Sequence, residues 1–198
     1  MAKPLTTTSH ALLGLLSIQP WSTYELAKQV DRSLGWFWPR TERKIYDEAK
    51  NLVESGHATA TPQATGSRPR TVYKISAKGR RMLQAWLDES SAPPKLEAEA
   101  LVRVFFADAG TLDQLHATLD DLAATAQANL DELQALIATA DNANYTFADR
   151  RHINAIAIRF QLDYNQMISN WAEWATAQTD GWNDITDPND WDWHAAVT

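Results

Sequence analysis

Apolar residues recur at the spacing of a long helix through the second half of the chain. Between residues 112 and 137 the spacings are 3, 4, 3, 4, 4, 3 and 4, behind the Thr-x-x-Gln pattern of a capping box at 111–114. A second stripe comprises Ile153, Ile156, Phe160, Tyr164, Met167, Trp171 and Trp174. Two long helices with little else cannot close a large core, so they predict an antiparallel hairpin or pairing with another chain, and we expect an obligate homodimer.

The first half alternates short helices with one pair of strands. Residues 10–18 are almost wholly apolar and predict a buried helix that stops before Pro20. The Ser-x-x-Glu pattern at 22–25 begins a second helix, and Thr41 caps a third that ends at Gly56. Alternating segments at 57–61 and 71–76 flank a basic loop at 62–70, and Ser76 caps a fourth helix that ends at Leu87. The predicted fold is mostly α, with an α+β first half: a winged helix-turn-helix followed by a helical, coiled-coil-like dimerisation domain.

Charge is divided unevenly between the two halves. The chain has 18 Lys and Arg against 25 Asp and Glu, a net charge of −7. The first 90 residues contain 13 basic and 8 acidic residues and carry +5, whereas the remainder carries −12. This asymmetry indicates that the first half meets a polyanion while the second half has another task.

Basic side chains concentrate on the two elements by which a winged helix holds DNA. A helix of about 10–12 Å diameter fits the major groove of B-DNA, so the exposed side of the third helix must present hydrogen-bond donors there. The hairpin tip needs extended cations for the adjacent backbone or minor groove, and Pro69 limits the entropy lost on docking. We predict DNA contacts from Arg40, Thr41, Arg43, Lys44, Tyr46, Lys50, Arg68 and Arg70.

Nine Trp residues are an unusual number for a chain of 198. Planar aromatics one helical turn apart, such as Trp171 and Trp174, can sandwich a flat lipophilic ligand, although aromatic stripes at this spacing usually pack in a core. His152, beside two arginines, either meets a ligand carboxylate or is an ordinary exposed histidine. The candidate effector-binding residues are Tyr24, His152, Tyr164, Trp171 and Trp174.

Motifs of enzymes and metal sites are missing from the sequence. Cysteine is absent, which excludes disulfides, thiolate metal sites and a cysteine nucleophile. The seven Gly are isolated, the five His lack metal-binding spacing, and no Gly-x-Ser-x-Gly elbow occurs. No apolar run reaches the ~18 residues of a membrane span, and the start of the chain lacks a signal-peptide core. We expect a cytoplasmic protein that is not an enzyme and uses neither a cofactor nor a metal.

Short strings in a specific order connect the first half to a known family. They are Ala-Leu-Leu-Gly-Leu-Leu at 11–16, Tyr-Glu-Leu at 24–26, Leu-Gly-Trp-Phe-Trp at 34–38, Ile-Tyr at 45–46, Glu-Ser-Gly at 54–56, Tyr-Lys-Ile-Ser at 73–76 and Lys-Gly-Arg at 78–80. The chain thereby resembles the PadR-like transcriptional regulators, and residues 101–108 and 164–171 are similar to the helical dimerisation domain of their longer subfamily. The resemblance implies a homodimer on a palindromic operator, usually a repressor, which a small molecule held near the dimer core or between the domains releases.

Four residues depart from the pattern of the family that the chain resembles. Asp47 stands where Pro is common, Ala49 where Leu is usual, Asn51 where a basic residue often lies, and Thr23 where Gly precedes the Tyr. Asp47 repels phosphate but can accept a hydrogen bond from a cytosine amino group. The operator sequence is therefore not expected to transfer from relatives.

The sequence predicts three parts with separate tasks. Residues 1–90 form the DNA-binding domain, 91–180 the helical dimerisation and effector domain, and 181–198 an acidic, Trp-rich tail whose Asp content favours a loose segment and whose Trp content favours burial. The leading hypothesis is a dimeric repressor released by a small planar hydrophobic or phenolic effector. The alternative is a helical protein-interaction module whose winged helix contacts protein, which the overall acidity favours.

Overall fold

The computed structural model describes residues 3–65, 68–140 and 147–198. The chain divides into two compact units, Met1–Pro94 and Lys95–Thr198. Each is described by itself. In the described part of the chain, no helix is both long enough and apolar enough to cross a bilayer.

The first unit is a winged helix-turn-helix, as predicted. Its elements are α1 (Thr7–Ile18), β1 (Trp21–Ser22), α2 (Thr23–Leu34), α3 (Glu42–Glu54), β2 (Ala58–Thr65), β3 (Arg68–Ile75) and α4 (Ala77–Leu87). The predicted caps are confirmed: the side chains of Ser22, Thr41 and Ser76 each accept a backbone N–H three residues further on. Each helix therefore starts where a short polar side chain satisfies its free donors.

The two long strands are longer than the sequence predicted. They pair antiparallel from Ala58 opposite Ile75 to Thr65 opposite Arg68, so most of the expected loop at 62–70 is strand. Pro62 is tolerated because β2 lies at the edge of the sheet, whose order is β1-β3-β2. The short β1 pairs only with residues 72 and 73 of β3, so Pro69 lies where β3 has a single neighbour.

The core of the first unit joins α1, α2 and α3. Its fully buried large side chains are Leu12, Leu13, Leu16, Leu26, Ile45 and Leu52. Trp86 of α4 covers this core from outside by stacking on His10, with ring centroids 4.9 Å apart and planes 4° from parallel. The Ile45 and Leu52 positions turn one side of α3 inward and leave its opposite side to solvent.

The second unit is built on an antiparallel pair of long helices. Its elements are α5 (Glu99–Phe105), α6 (Leu112–Ala140), α7 (Arg151–Thr179) and α8 (Trp193–Val197), with single 3-10 turns at Ala107–Ala109 and Ala148–Arg150. Asn129 donates to Asn165 at 2.9 Å, and a ring nitrogen of His116 lies 2.7 Å from the Thr179 hydroxyl. These two contacts fix the register of α6 against α7. The predicted α6 seam is buried at Leu115, Leu119, Ala126, Leu130 and Leu133.

The apolar stripe of α7 does not face α6. The side of α7 that is buried is mostly polar or small: Gln161, Asn165, Ser169, Ala172 and Thr179. On the other side, Ile153, Ile156, Phe160, Met167 and Trp174 are between 43% and 74% exposed. The hairpin therefore forms, as one of the two predicted arrangements, and among the described residues of this unit it leaves the stripe exposed.

The segment after α7 makes contacts around Trp191, whereas Trp193 and Val197 are 61% and 60% exposed. Trp191 meets Trp182 and Trp193 edge to face, with ring centroids 6.0 and 6.4 Å apart. Its indole N–H also donates to Gln178 Oε1 at 3.2 Å, which ties the tail to α7. The contacts of Trp182 and Trp191 thus hold part of this segment in place, although its Asp content favoured a loose tail.

Candidate nucleic-acid interface

The exposed side of α3 presents three of the predicted DNA-binding residues together. Arg43, Tyr46 and Lys50 are spaced by three and four residues, so at about 100° of rotation per residue they share one face. Arg43 is 93% exposed, Lys50 is exposed and Tyr46 is half-buried. Thr41 caps the N-terminus of α3, beside Arg43, by accepting the Lys44 N–H at 3.3 Å. This face can approach a partner without any change in the fold.

Lys44 lies on the margin of that face and is held by a carboxylate. Its Nζ is 2.7 Å from Glu48 Oε1, and Glu48 also accepts hydrogen bonds from Ser9 at 2.6 Å and Thr6 at 3.3 Å. Burial alone would raise the pKa of Glu48, but the hydrogen bonds from Lys44, Ser9 and Thr6 outweigh it and hold that pKa below its usual value. Glu48 therefore ties α3 to α1, and Lys44 supplies the positive charge beside that carboxylate.

Asn51 explains one departure from the family pattern. It is buried, and its side-chain amide exchanges two hydrogen bonds with the backbone of Lys3, at 2.8 and 3.2 Å. This pairing attaches the start of the chain to α3. A basic residue at this position has no acceptor for the Lys3 N–H.

Arg40 precedes α3 and is held in place by aromatic and backbone contacts. Its guanidinium lies 4.1 Å from the centroid of the Trp38 ring and donates to the Pro39 carbonyl at 2.6 Å. Arg40 is exposed, and no described carboxylate is paired with it. The stacking presents a positive charge beside the first turn of the helix.

The wing contributes Arg70, whose side chain is 45% exposed. Its guanidinium lies 3.7 Å from Glu25 Oε1 and donates to Gln63 at 3.4 Å. The Ser22 hydroxyl and backbone N–H, and more weakly Arg70, lower the pKa of Glu25. The long contact to a half-exposed carboxylate orients Arg70 without neutralising it. Arg68 begins β3, and its predicted contact lies outside the described side chains.

A cluster that the sequence analysis only partly found joins α2 to α3. Lys28 Nζ lies 4.7 Å from the Tyr24 ring, and Tyr46 donates to Glu42 at 3.4 Å. Partial desolvation, then Glu42, then Tyr24 raise the pKa of Tyr46. The sequence analysis did not name Lys28 as part of this site, although its position four residues after Tyr24 on one helix predicts contact between the two side chains.

Four of the five predicted effector-binding residues are spread along α7. Tyr24 belongs to the first unit, whereas His152, Tyr164, Trp171 and Trp174 lie on α7. At 1.5 Å per residue, His152 is about 29 Å along the helix from Trp171. Tyr164 is stacked on Phe160 with centroids 6.4 Å apart. A single small ligand on one chain can contact Tyr164, Trp171 and Trp174, but not His152 as well.

A winged helix with an exposed basic face, followed by a helical hairpin, is the architecture of a winged-helix transcriptional regulator. Residues 12–85 match the transcriptional regulator PadR-like family, and residues 98–180 match the C-terminal region described as virulence activator alpha. In this chain, residues 12–85 thus form a domain of the PadR-like family, and residues 98–180 carry this second region. The chain is a transcriptional regulator of the PadR type, a family whose members are regulators and not enzymes.

Two relatives and three solved structures show the extent of the similarity. A probable transcriptional regulator of Mycobacterium tuberculosis is 38% identical over 87 residues, which are 43% of this chain and 46% of that relative, so the match spans less than half of its length. The negative transcriptional regulator PadR of Bacillus subtilis is 24% identical over 177 residues, 86% of this chain and 96% of that one.

The crystal structure of Bacillus subtilis PadR in complex with operator DNA matches 87% of this chain and 98% of its own, with a TM-score of 0.75 and 22% identity. The same protein in complex with p-coumaric acid matches 87% and 98% with a TM-score of 0.68 and 21% identity. The Vibrio cholerae virulence activator AphA matches 86% and 96% with a TM-score of 0.66 and 21% identity. At these identities the structures establish the shared fold.

Proposed function

We propose that this regulator binds duplex DNA as a homodimer and represses transcription until a small planar aromatic compound releases it. Residues 1–90 hold the DNA, residues 91–180 pair the two chains and bind the effector, and the tail 181–198 packs on α7. The observation that carries the proposal is the exposed face of Arg43, Tyr46 and Lys50 on α3, with Arg70 on the adjoining wing.

This face has the chemistry that a duplex requires. Arg43 and Lys50 are long, exposed cations that reach phosphates or guanine edges from a helix in the major groove, and Tyr46 adds a hydroxyl between them. Arg70 reaches the neighbouring backbone from the wing. Bacillus subtilis PadR, which shares this fold, has been solved with operator DNA and is named a negative regulator. This supports both DNA as the ligand and repression as the direction of regulation.

Pairing of two chains follows from the uncovered stripe of α7. Ile156 and Phe160 are 74% and 62% exposed, and Phe105 of α5 is 79% exposed. Large apolar side chains cost about 1.5–3 kcal/mol each when they stay in water, so a continuous stripe of them favours a partner surface of the same kind. A second copy supplies one, since the same patch meets itself across a two-fold axis.

The effector is expected on the part of the stripe that carries Tyr164, Trp171 and Trp174. Trp174 is 43% exposed, and the other two are half-buried, so part of each side chain is accessible to a flat ligand or to the partner chain. Bacillus subtilis PadR has been solved with p-coumaric acid, a planar phenolic compound. A ligand bound there acts on DNA only if it binds the DNA-competent state less well than the released one.

Binding of DNA is tested by gel shift of the duplex upstream of the chain's own gene at two salt concentrations. We expect binding that weakens steeply with salt, because each neutralised phosphate releases counterions. The doubly substituted variant Arg43→Ala/Lys50→Ala should bind more weakly and lose part of the salt dependence. Failure of the folded chain to bind any duplex at low salt would refute the proposal and favour the protein-interaction alternative.

Release is tested by titrating p-coumaric acid while Trp fluorescence and operator binding are followed together. Quenching with parallel loss of the shifted band supports the effector proposal. Quenching with unchanged DNA affinity shows binding without coupling. A reporter fused to the operator gives the sign: repression requires higher expression when the regulator is deleted.

A further inference from the structure

The outer face of α3 carries one carboxylate among its cations. Asp47 follows Arg43 by four residues and precedes Lys50 by three, so the three side chains share that face. Asp47 is 62% exposed, and its Oδ2 lies 4.0 Å from the Arg43 Nε, too far for a hydrogen bond. Its carboxylate accepts no hydrogen bond from any residue in the described ranges.

The neighbouring carboxylates of α3 are committed, and Asp47 is not. Glu42 accepts the Tyr46 hydroxyl at 3.4 Å, and Glu48 is 6% exposed and bound by Lys44 at 2.7 Å. These two groups have structural partners that keep them in place. The uncommitted oxygens of Asp47 therefore remain available to whatever approaches the face.

A docked duplex restricts what those oxygens can accept. Closing α3 into the major groove removes water from the carboxylate beside a row of phosphates, which repel it and cannot donate. The hydrogen-bond donors on base edges in the major groove are the amino groups of cytosine N4 and adenine N6. Of these, an aspartate pairs with the cytosine amino group, whereas adenine is matched by the paired donor and acceptor of an amide.

We propose that Asp47 is a specificity-determining residue, which requires a cytosine at one position of each operator half-site and excludes duplexes that offer no amino group there. The inference rests on the proposed function, because it assumes that α3 enters the groove. On most DNA the repelled, desolvated carboxylate weakens binding. Only on the correct sequence does a hydrogen bond from the cytosine amino group offset this cost.

The test selects preferred sequences from a pool of duplexes with randomised positions, using the full-length chain and three variants. Asp47→Ala should lose about tenfold of the discrimination at one base pair of the half-site and bind a mixed-sequence duplex more tightly. Asp47→Asn should change the preference at that same base pair from cytosine to adenine. Glu54→Gln removes one charge from the exposed C-terminal end of α3, about 10 Å along the helix from Asp47, and should leave the preference intact.

The outcomes separate this inference from the function on which it rests. If the natural chain selects no sequence, the proposed function fails, and the inference fails with it. If the natural chain selects a half-site and the Asp47→Ala and Asp47→Asn variants retain every base preference, Asp47 does not read the operator and only the inference is overturned. A cytosine preference that changes to adenine in Asp47→Asn supports it.

Discussion

The outer faces of α3 and α7 are both exposed, but they expose opposite chemistry. On α3 the apolar side chains Ile45 and Leu52 turn inward, and charged groups such as Arg43 and Lys50 meet water. On α7 the polar side chains turn toward α6, and the apolar stripe around Phe160 meets water. A charged face is stable in water and needs a ligand only for function. An apolar face needs a partner for stability, so the two units depend on their partners in different ways.

The largest expected effect comes from placing a charge in the α7 stripe. Ile156→Glu should weaken the homodimer by at least about a hundredfold, because two carboxylates per dimer would be desolvated in an apolar interface. Sedimentation at several protein concentrations measures this change. Ala155→Glu adds the same charge to the preceding residue, which is exposed and lies outside the stripe, and serves as the matched control. An unchanged dimer in Ile156→Glu would mean that the stripe is not the interface.

The next effect separates two lysines of the same helix. Lys44→Ala leaves the buried Glu48 without its cation and should lower the free energy of unfolding by about 1–3 kcal/mol. Lys50→Ala, on the exposed face, should change stability by less than about 0.5 kcal/mol while lowering the salt dependence of DNA binding by about one phosphate. Chemical denaturation and salt titration of both variants measure the contrast. Equal losses of stability would contradict the division between the two lysines.

A pH effect is expected from the core that supports α3. His57 is 5% exposed; burial first, then the charges of Lys78 and His10, lower its pKa from the ordinary 6.5. Because the unfolded chain then binds a proton that the folded chain does not, stability falls as the pH decreases below about 6.5 toward the folded value. Thermal unfolding between pH 8 and pH 5 measures this slope. His57→Gln should flatten it between pH 7 and pH 5.5; an equally steep slope in the variant would assign the effect to other groups.

Local signals in the sequence were sufficient for three of the four helix starts of the first unit. Ser22, Thr41 and Ser76 mark helix starts because a cap is an interaction over three residues, which a short string contains in full. The two-residue β1 was missed, since its pairing with β3 spans about fifty residues of chain and leaves no local pattern. The strand ends near Pro62 were misjudged because the edge position that tolerates proline is a property of the sheet.

The candidate site shows the same limit at the level of single residues. Helical spacing correctly placed Arg43 and Lys50 on the exposed side of α3. The spacing of four residues between Lys44 and Glu48 also indicated an ion pair, but it could not show that Glu48 is buried, because that burial depends on Ser9 of another helix. For α7, spacing found the stripe but not what covers it, since a stripe that faces another helix and one that faces another chain have the same period.

The smallest expected effect tests how far the charged face depends on its surroundings. Glu25 lies 3.7 Å from Arg70 with both side chains about half exposed, a geometry that contributes at most about 1 kcal/mol to stability. Glu25→Gln keeps the group that accepts the Ser22 N–H, so the helix cap survives, but it removes a negative charge from beside the wing. DNA affinity at low salt should rise by about twofold, and the gain should vanish at high salt because the charges are solvent-exposed. Glu89→Gln removes an exposed charge beyond the end of α4 and should leave affinity unchanged. A loss of affinity in Glu25→Gln would instead show that the ion pair holds Arg70 in its DNA-binding conformation. Arg70 would then depend on a neighbouring carboxylate, as Lys44 does, whereas Arg43 and Lys50 would not.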